Sequence, residues 1–122
     1  MRASTLCASL LAAWAPLVSA TYYVIQDDYE PSNFFSKVWF DTESDPTHGY
    51  VRYVDYNTAQ AGGLISVTSN NQVYIGVDHT NVPGAEGRAS VRVVSNNVYT
   101  HGLIMLDLEH MPGGICGTWP AL

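Results

Sequence analysis

Basic residues are scarce in this chain. Five Lys and Arg stand against eleven Asp and Glu over 122 residues, for a formal net charge of −6. Phosphate contacts need clustered Lys and Arg, so nucleic acid and anionic membrane are excluded as partners. No helical 3.6-residue period persists anywhere. No Asn-x-Ser/Thr sequon is present, and Ser90 lies in no Gly-x-Ser-x-Gly elbow, which leaves a hydrolase triad unsupported. Beyond the first twenty residues, no run is long and apolar enough to cross a membrane, which takes about 20 residues.

Those first twenty residues have a different character. Arg2 supplies a short positive start, residues 6–18 (LCASLLAAWAPLV) are apolar, and Val18-Ser19-Ala20 offers small residues to a signal peptidase. The pattern predicts a signal peptide over 1–20, cleavage after Ala20 and a secreted, extracellular protein. The remaining 102 residues hold four basic and eleven acidic residues, a net charge of −7. Cys7 leaves with the leader, and Cys116 is then alone in an oxidising compartment. A leftover cysteine there points to an intermolecular bridge, a reactive thiol or a missing partner.

Short β-type runs broken by Gly, Asn, Asp and Pro fill the rest. Strands are expected over residues 22–26, 50–55, 64–68, 72–78, 90–95 and 98–108. Asn70-Asn71 and Asn96-Asn97 each predict a hairpin turn. The aromatic stretch 33–40 (NFFSKVWF) has room for one helical turn inside an irregular core plug. Residues 41–49 and 82–87 read as exposed loops. Strands at intervals of about 8–12 residues indicate a β-sandwich or jelly roll. The stretch 98–108 is apolar on both faces, and such a strand calls for sheet neighbours and a covering layer.

Candidate chemistry is thin. Asp107 and Glu109 lie two apart, so on a strand they point the same way. Retaining glycosidases hold two carboxyls about 5–5.5 Å apart, but no third acid follows to tune this pair, and a solvated strand end accounts for it. His79, His101 and His110, with Asp78, match no closed zinc spacing, and no metal or cofactor is expected. Arg88 and Arg92 stand four apart. Their forked donors suit sugar hydroxyls and carboxylates as well as surface ion pairs. Trp119 suits either a pyranose platform or a core position.

Several blocks together resemble secreted fungal members of glycoside hydrolase family 16, the endo-1,3(4)-β-glucanases. They are Tyr23-Val24-Ile25-Gln26-Asp27-Asp28-Tyr29 with Phe34-Phe35, then Gly49-Tyr50-Val51-Arg52-Tyr53-Val54-Asp55, and Gly76-Val77-Asp78-His79-Thr80-Asn81. Gly87-Arg88-Ala89-Ser90-Val91-Arg92, His101-Gly102-Leu103-Ile104 and the run from His110 through Cys116 to Ala121 complete the set, in order. The resemblance implies a β-jelly-roll with a β-glucan cleft and retaining cleavage of β-1,3 or mixed linkages. It also implies a Glu-x-Asp-x-x-Glu strand soon after Trp119. The first Glu would be the nucleophile, the second the acid/base, with the Asp tuning protonation.

No Glu-x-Asp-x-x-Glu occurs in these 122 residues. The expectation is therefore all-β: a partial, concanavalin-like jelly-roll sandwich over 21–122, cut short before the catalytic strand and inactive alone. A partner for Cys116 would then lie in the absent part. Arg88, Arg92 and Trp119 are the substrate-binding residues that the resemblance carries over, with no catalytic residue. The rival expectation is a secreted β-glucan binder, or an unstable fragment whose open sheet edges favour aggregation.

Overall fold

The computed structural model describes residues 22–116. The predicted leader and Trp119 lie outside the described residues. The all-β expectation holds: six short strands accompany one short α-helix. They are β1 (Val38–Phe40), β2 (Val51–Tyr53), β3 (Ile65–Val67), β4 (Val73–Ile75), β5 (Arg88–Ser90) and β6 (Val93–Ser95), with α1 (Tyr56–Ala61) after β2.

The strands form three two-stranded sheets. β1 pairs antiparallel with β6, β2 parallel with β5, and β3 antiparallel with β4. The predicted hairpin at Asn70-Asn71 is β3–β4, in the register Ile65↔Ile75 and Val67↔Val73. Asn71 takes φ 58°, a left-handed position that asparagine tolerates. The chain leaving β4 then binds β5, since the Asp78 amide donates to the Ala89 carbonyl at 2.9 Å.

Five expectations need correction. Residues 22–26 form no strand and are exposed. Residues 98–108 form none either, and the Asn96-Asn97 hairpin is absent. Its asparagines are used elsewhere: Asn96 Nδ2 donates to the Ser36 carbonyl at 3.1 Å, and Asn97 Nδ2 to Asp27 Oδ2 at 2.9 Å. β6 pairs with β1 instead, through Trp39↔Val94. The run 90–95 is two strands, because the chain leaves β5 at Ser90 and begins β6 only at Val93. Finally, the aromatic stretch holds a 3-10 turn (Phe34–Ser36) as expected, but also the strand β1.

α1 was not foreseen, because six residues are too few to display a helical period. Its start is nevertheless written in side chains. Asp55 Oδ1 accepts from the Thr58 amide at 3.0 Å and Oδ2 from the Thr58 hydroxyl at 2.8 Å. Those bonds satisfy a donor that the first helical turn leaves free. The helix brings Ala59, fully buried, against Val54, Leu64 and Ile65. Phe35 and Phe40 close over this cluster, and Phe40 meets Tyr56 edge-on at 5.4 Å between ring centres. Asp55→Ala is expected to lower stability by about 1 kcal/mol, the usual effect of losing an N-cap. Urea denaturation followed by circular dichroism would measure it, and an unchanged midpoint would count against the cap.

Candidate functional site

The loop between β1 and β2 is built around two aspartates. Asp45 Oδ2 accepts from the Gly49 amide at 2.7 Å and from the Thr47 hydroxyl, and Oδ1 accepts from the Tyr53 hydroxyl at 3.2 Å. The Thr47 hydroxyl, then the Gly49 amide, hold its carboxyl below the usual range. Burial, then the Asp45 hydrogen bond, push the Tyr53 phenol upward. Asp41 is nearly buried and caps its own turn, accepting from the Glu43 amide at 3.0 Å.

Arg92 docks on this loop. Its Nε lies 3.4 Å from Asp41 Oδ2, and its guanidinium sits 5.7 Å from the centre of the Tyr53 ring. The backbone repeats the contact, with the Asp41 amide donating to the Arg92 carbonyl at 3.0 Å. An ion pair of this partly exposed kind contributes up to about 1 kcal/mol, and the ring adds a cation–π attraction. The Arg92 side chain stays 38% exposed. Its remaining donors therefore face solvent on a head fixed from two sides.

Arg88 turns elsewhere. It is the first residue of β5, its amide donates to the Tyr50 carbonyl at 3.0 Å, and its Nη1 donates to the Asp78 carbonyl at 2.5 Å. The side-chain contacts of Arg88 and Arg92 share no residue. The structure thus brings each arginine to a different part of the fold. Asp78 itself is saturated by its own loop. Oδ1 accepts from the Thr80 and Asn81 amides at 2.9 and 3.1 Å, and Oδ2 from Asn81 Nδ2 at 2.8 Å. The Asn81 side chain and these amides hold its carboxyl far below the usual range. Beside it opens a polar cavity of about 440 Å³, lined by Arg52, Asp78, Asn81, Pro83, Glu86 and Ala89.

The remaining candidates have no shared site. His79 Nδ1 lies 3.4 Å from the Val77 carbonyl, and His101 and His110 sit in exposed irregular chain. Among the described residues, no group of three His, Cys, Asp or Glu side chains is placed to hold a metal. Asp107 and Glu109 are exposed and lie in no strand, so the same-face argument for them fails. The Ser90 hydroxyl is buried and donates to the Arg88 carbonyl at 3.1 Å. Asp41, Asp45 and Tyr53 were missed. The Asp45-Pro46-Thr47 turn signature was the available signal for the loop, whereas nothing local ties Asp41 to a residue 51 positions away.

Residues 38–122 match the family model described as XgeA-like, catalytic GH16 domain. The chain belongs to glycoside hydrolase family 16. It is 54% identical over 112 residues to an endo-1,3(4)-beta-glucanase of Arthroderma benhamiae, covering 92% of this chain and 24% of that protein. It is 41% identical over 105 residues to the endo-1,3(4)-beta-glucanase xgeA of Emericella nidulans, covering 84% and 17%. Among solved GH16 structures, an elongating β-1,3-glucosyltransferase superposes with a TM-score of 0.74 at 42% identity, over 78% of this chain and 33% of the other. Laminarinase 16A of Phanerochaete chrysosporium, holding β-glucans in donor and acceptor sites, superposes at 0.55 and 38% identity, over 62% and 26%. The short strands of this GH16 chain are thus part of a β-jelly-roll. The chain spans about a quarter or less of the length of these two curated relatives.

Proposed function

We propose that this GH16 chain contributes part of a secreted β-glucan-acting domain, and that on its own it holds glucan without hydrolysing it. The match over residues 38–122 carries this reading, with relatives named endo-1,3(4)-beta-glucanases. The sequence supports the second half. The Glu-x-Asp-x-x-Glu pattern expected of the family does not occur in it, and Asp107 and Glu109 are solvated side chains in irregular structure. Without a positioned pair of carboxyls there is neither nucleophile nor acid/base. Purified chain incubated with laminarin or lichenan should release no reducing ends above a blank. Measurable turnover would overturn the proposal.

Glucan contact is assigned to Arg88, Arg92 and Trp119. Arg92 has the strongest support, because its fork is already oriented by Asp41 and Tyr53. In a pull-down on insoluble β-glucan, Arg92→Ala and Trp119→Ala should each reduce retention several-fold. Retention equal to the unaltered chain would argue against a cleft wall at these residues. Secretion rests on Arg2, the apolar run and Val18-Ser19-Ala20. N-terminal sequencing of the exported product should begin at Thr21, and an intact Met1 would refute the leader.

A further inference from the structure

One side of β2 faces Arg92, and the other faces a separate cavity. Side chains alternate along a strand, so Arg52 leaves β2 on the side opposite Val51 and Tyr53. The Arg92 guanidinium lies over the Tyr53 ring. Arg52 instead lines the cavity of about 440 Å³ beside the 78–87 loop, a volume within the range of small-ligand sites. The walls of this cavity are fixed. The Tyr50 hydroxyl donates to the Gly84 carbonyl, and the Gly87 amide donates to the same carbonyl at 3.1 Å. On the β5 side, the Asp78 amide donates to the Ala89 carbonyl at 2.9 Å, and the Asp78 carboxylate gathers the Thr80 and Asn81 amides.

The lining selects a ligand by its chemistry. Arg52 Nε lies 3.5 Å from Glu86 Oε2, and the terminal nitrogens of Arg52 have no partner among the described residues. The Glu86 side chain is 81% exposed. A forked donor and a carboxylate acceptor thus stand side by side with hydrogen-bonding capacity to spare. An anion would meet two carboxylates, Asp78 and Glu86, against one guanidinium. A cation finds no open cage. Asp78 is saturated by its own loop, and no three metal-binding side chains converge among the described residues. An apolar group would desolvate the Arg52–Glu86 pair and return no hydrogen bond. A neutral ligand with adjacent hydroxyls fits, because each hydroxyl both accepts, here from Arg52, and donates, here to Glu86. The Tyr50 ring, 59% exposed and tethered to the rim, offers a flat apolar face to a neighbouring unit. We propose that this cavity is a second carbohydrate site, which takes one neutral pyranose unit of a chain and is separate from Arg92. It rests on the cavity alone and holds whether or not Arg88, Arg92 and Trp119 contact glucan.

The test is a titration of the isotope-labelled full chain with laminaritriose, followed by the backbone amide resonances. The Ala85, Glu86 and Gly87 amides should shift and saturate. Arg52→Ala should weaken this binding about tenfold, through loss of a charge-assisted hydrogen bond. Glu86→Ala, at a side chain that is mostly in solvent, should weaken it similarly while the urea midpoint stays unchanged, which separates lost binding from lost folding. Arg92→Ala should leave the shifts at 85–87 intact, even where it loses retention on insoluble glucan. A galacturonate trimer, with a carboxylate on each unit, should produce no saturable shift. Absence of saturable shifts at 85–87, unchanged affinity in either Arg52→Ala or Glu86→Ala, loss of those shifts in Arg92→Ala, or equal binding of the galacturonate trimer would each overturn the second site. Retention of Arg92→Ala on insoluble glucan bears on the proposed function alone.

Discussion

Replacing Gly87 with valine should severely destabilise the chain. Gly87 sits at φ +95°, where L side chains are rarely found. A Cβ there would lie 2.6 Å from the Val51 nitrogen and 2.7 Å from the Tyr50 carbonyl carbon. Both atoms are backbone and cannot swing aside. They also belong to the strand that the next residue must reach, since the Arg88 amide donates to the Tyr50 carbonyl and Val51 faces Arg88 across the β2–β5 pair. Relief of the clash therefore separates β2 from β5. Backbone strain of about 1–3 kcal/mol adds to that loss, in a fold with only four buried hydrophobic residues among those described. The combined effect should exceed about 3 kcal/mol. Gly63→Ala is the matched control. Gly63 is also left-handed, at φ +67°, but nothing lies within 4 Å of its Cβ position. It should cost about 1 kcal/mol. Urea titrations followed by far-ultraviolet circular dichroism compare the two, and equal midpoints would refute the account.

Acid should unfold the chain from below about pH 4, through aspartates whose partners are already identified. The Tyr99 hydroxyl and Asn97 amide depress Asp27, with Lys37 Nζ 3.9 Å away. Thr47 and Gly49 depress Asp45, Thr58 depresses Asp55, and Asn81 and Thr80 depress Asp78 most. A carboxyl with a lowered folded pKa binds its proton more readily when unfolded. Its contribution is fully present above the ordinary value of 3.8 and is lost as pH falls through the folded value. All four act in the same direction, so stability should be level from pH 7 to 5 and then fall steadily. Asp78 is the last to yield. The opposite limb belongs to Tyr99, whose phenol is raised chiefly by its bond to Asp27, and to Tyr53, raised chiefly by burial, so stability should also decline above about pH 10. Denaturation midpoints that stay flat or rise between pH 5 and 2.5 would contradict this assignment.

Local chemistry was the legible part of this sequence. Asn70-Asn71 announced β3–β4 because a turn and its flanking strands are contiguous, and the 3-10 turn at Phe34 lay where a helical turn had been allowed. Residues 98–108 misled for a physical reason. Their composition reports what they would do when covered, and among the described residues no strand pairs with them. β2–β5 was illegible because a parallel pair joins strands with no turn between them. The site followed the same division. Arg88 and Arg92 were visible as forked donors, but nothing local to them showed that they would part. The chain leaves β5 at Ser90, and each guanidinium finds its own partners.

The strand pairings also set the order in which the chain can assemble. α1 and the β3–β4 hairpin join residues close in sequence and can form as soon as they emerge from a ribosome. β2 waits for Ser90 and β1 for Ser95, so two of the three sheets close only after most of the chain has been made. Until then Phe40 and Val54 have no opposite strand. Between the completion of β4 at Ile75 and of β6 at Ser95, a nascent chain can hold one small hairpin and one helical turn, with its aromatic cluster open to whatever chaperone is at hand.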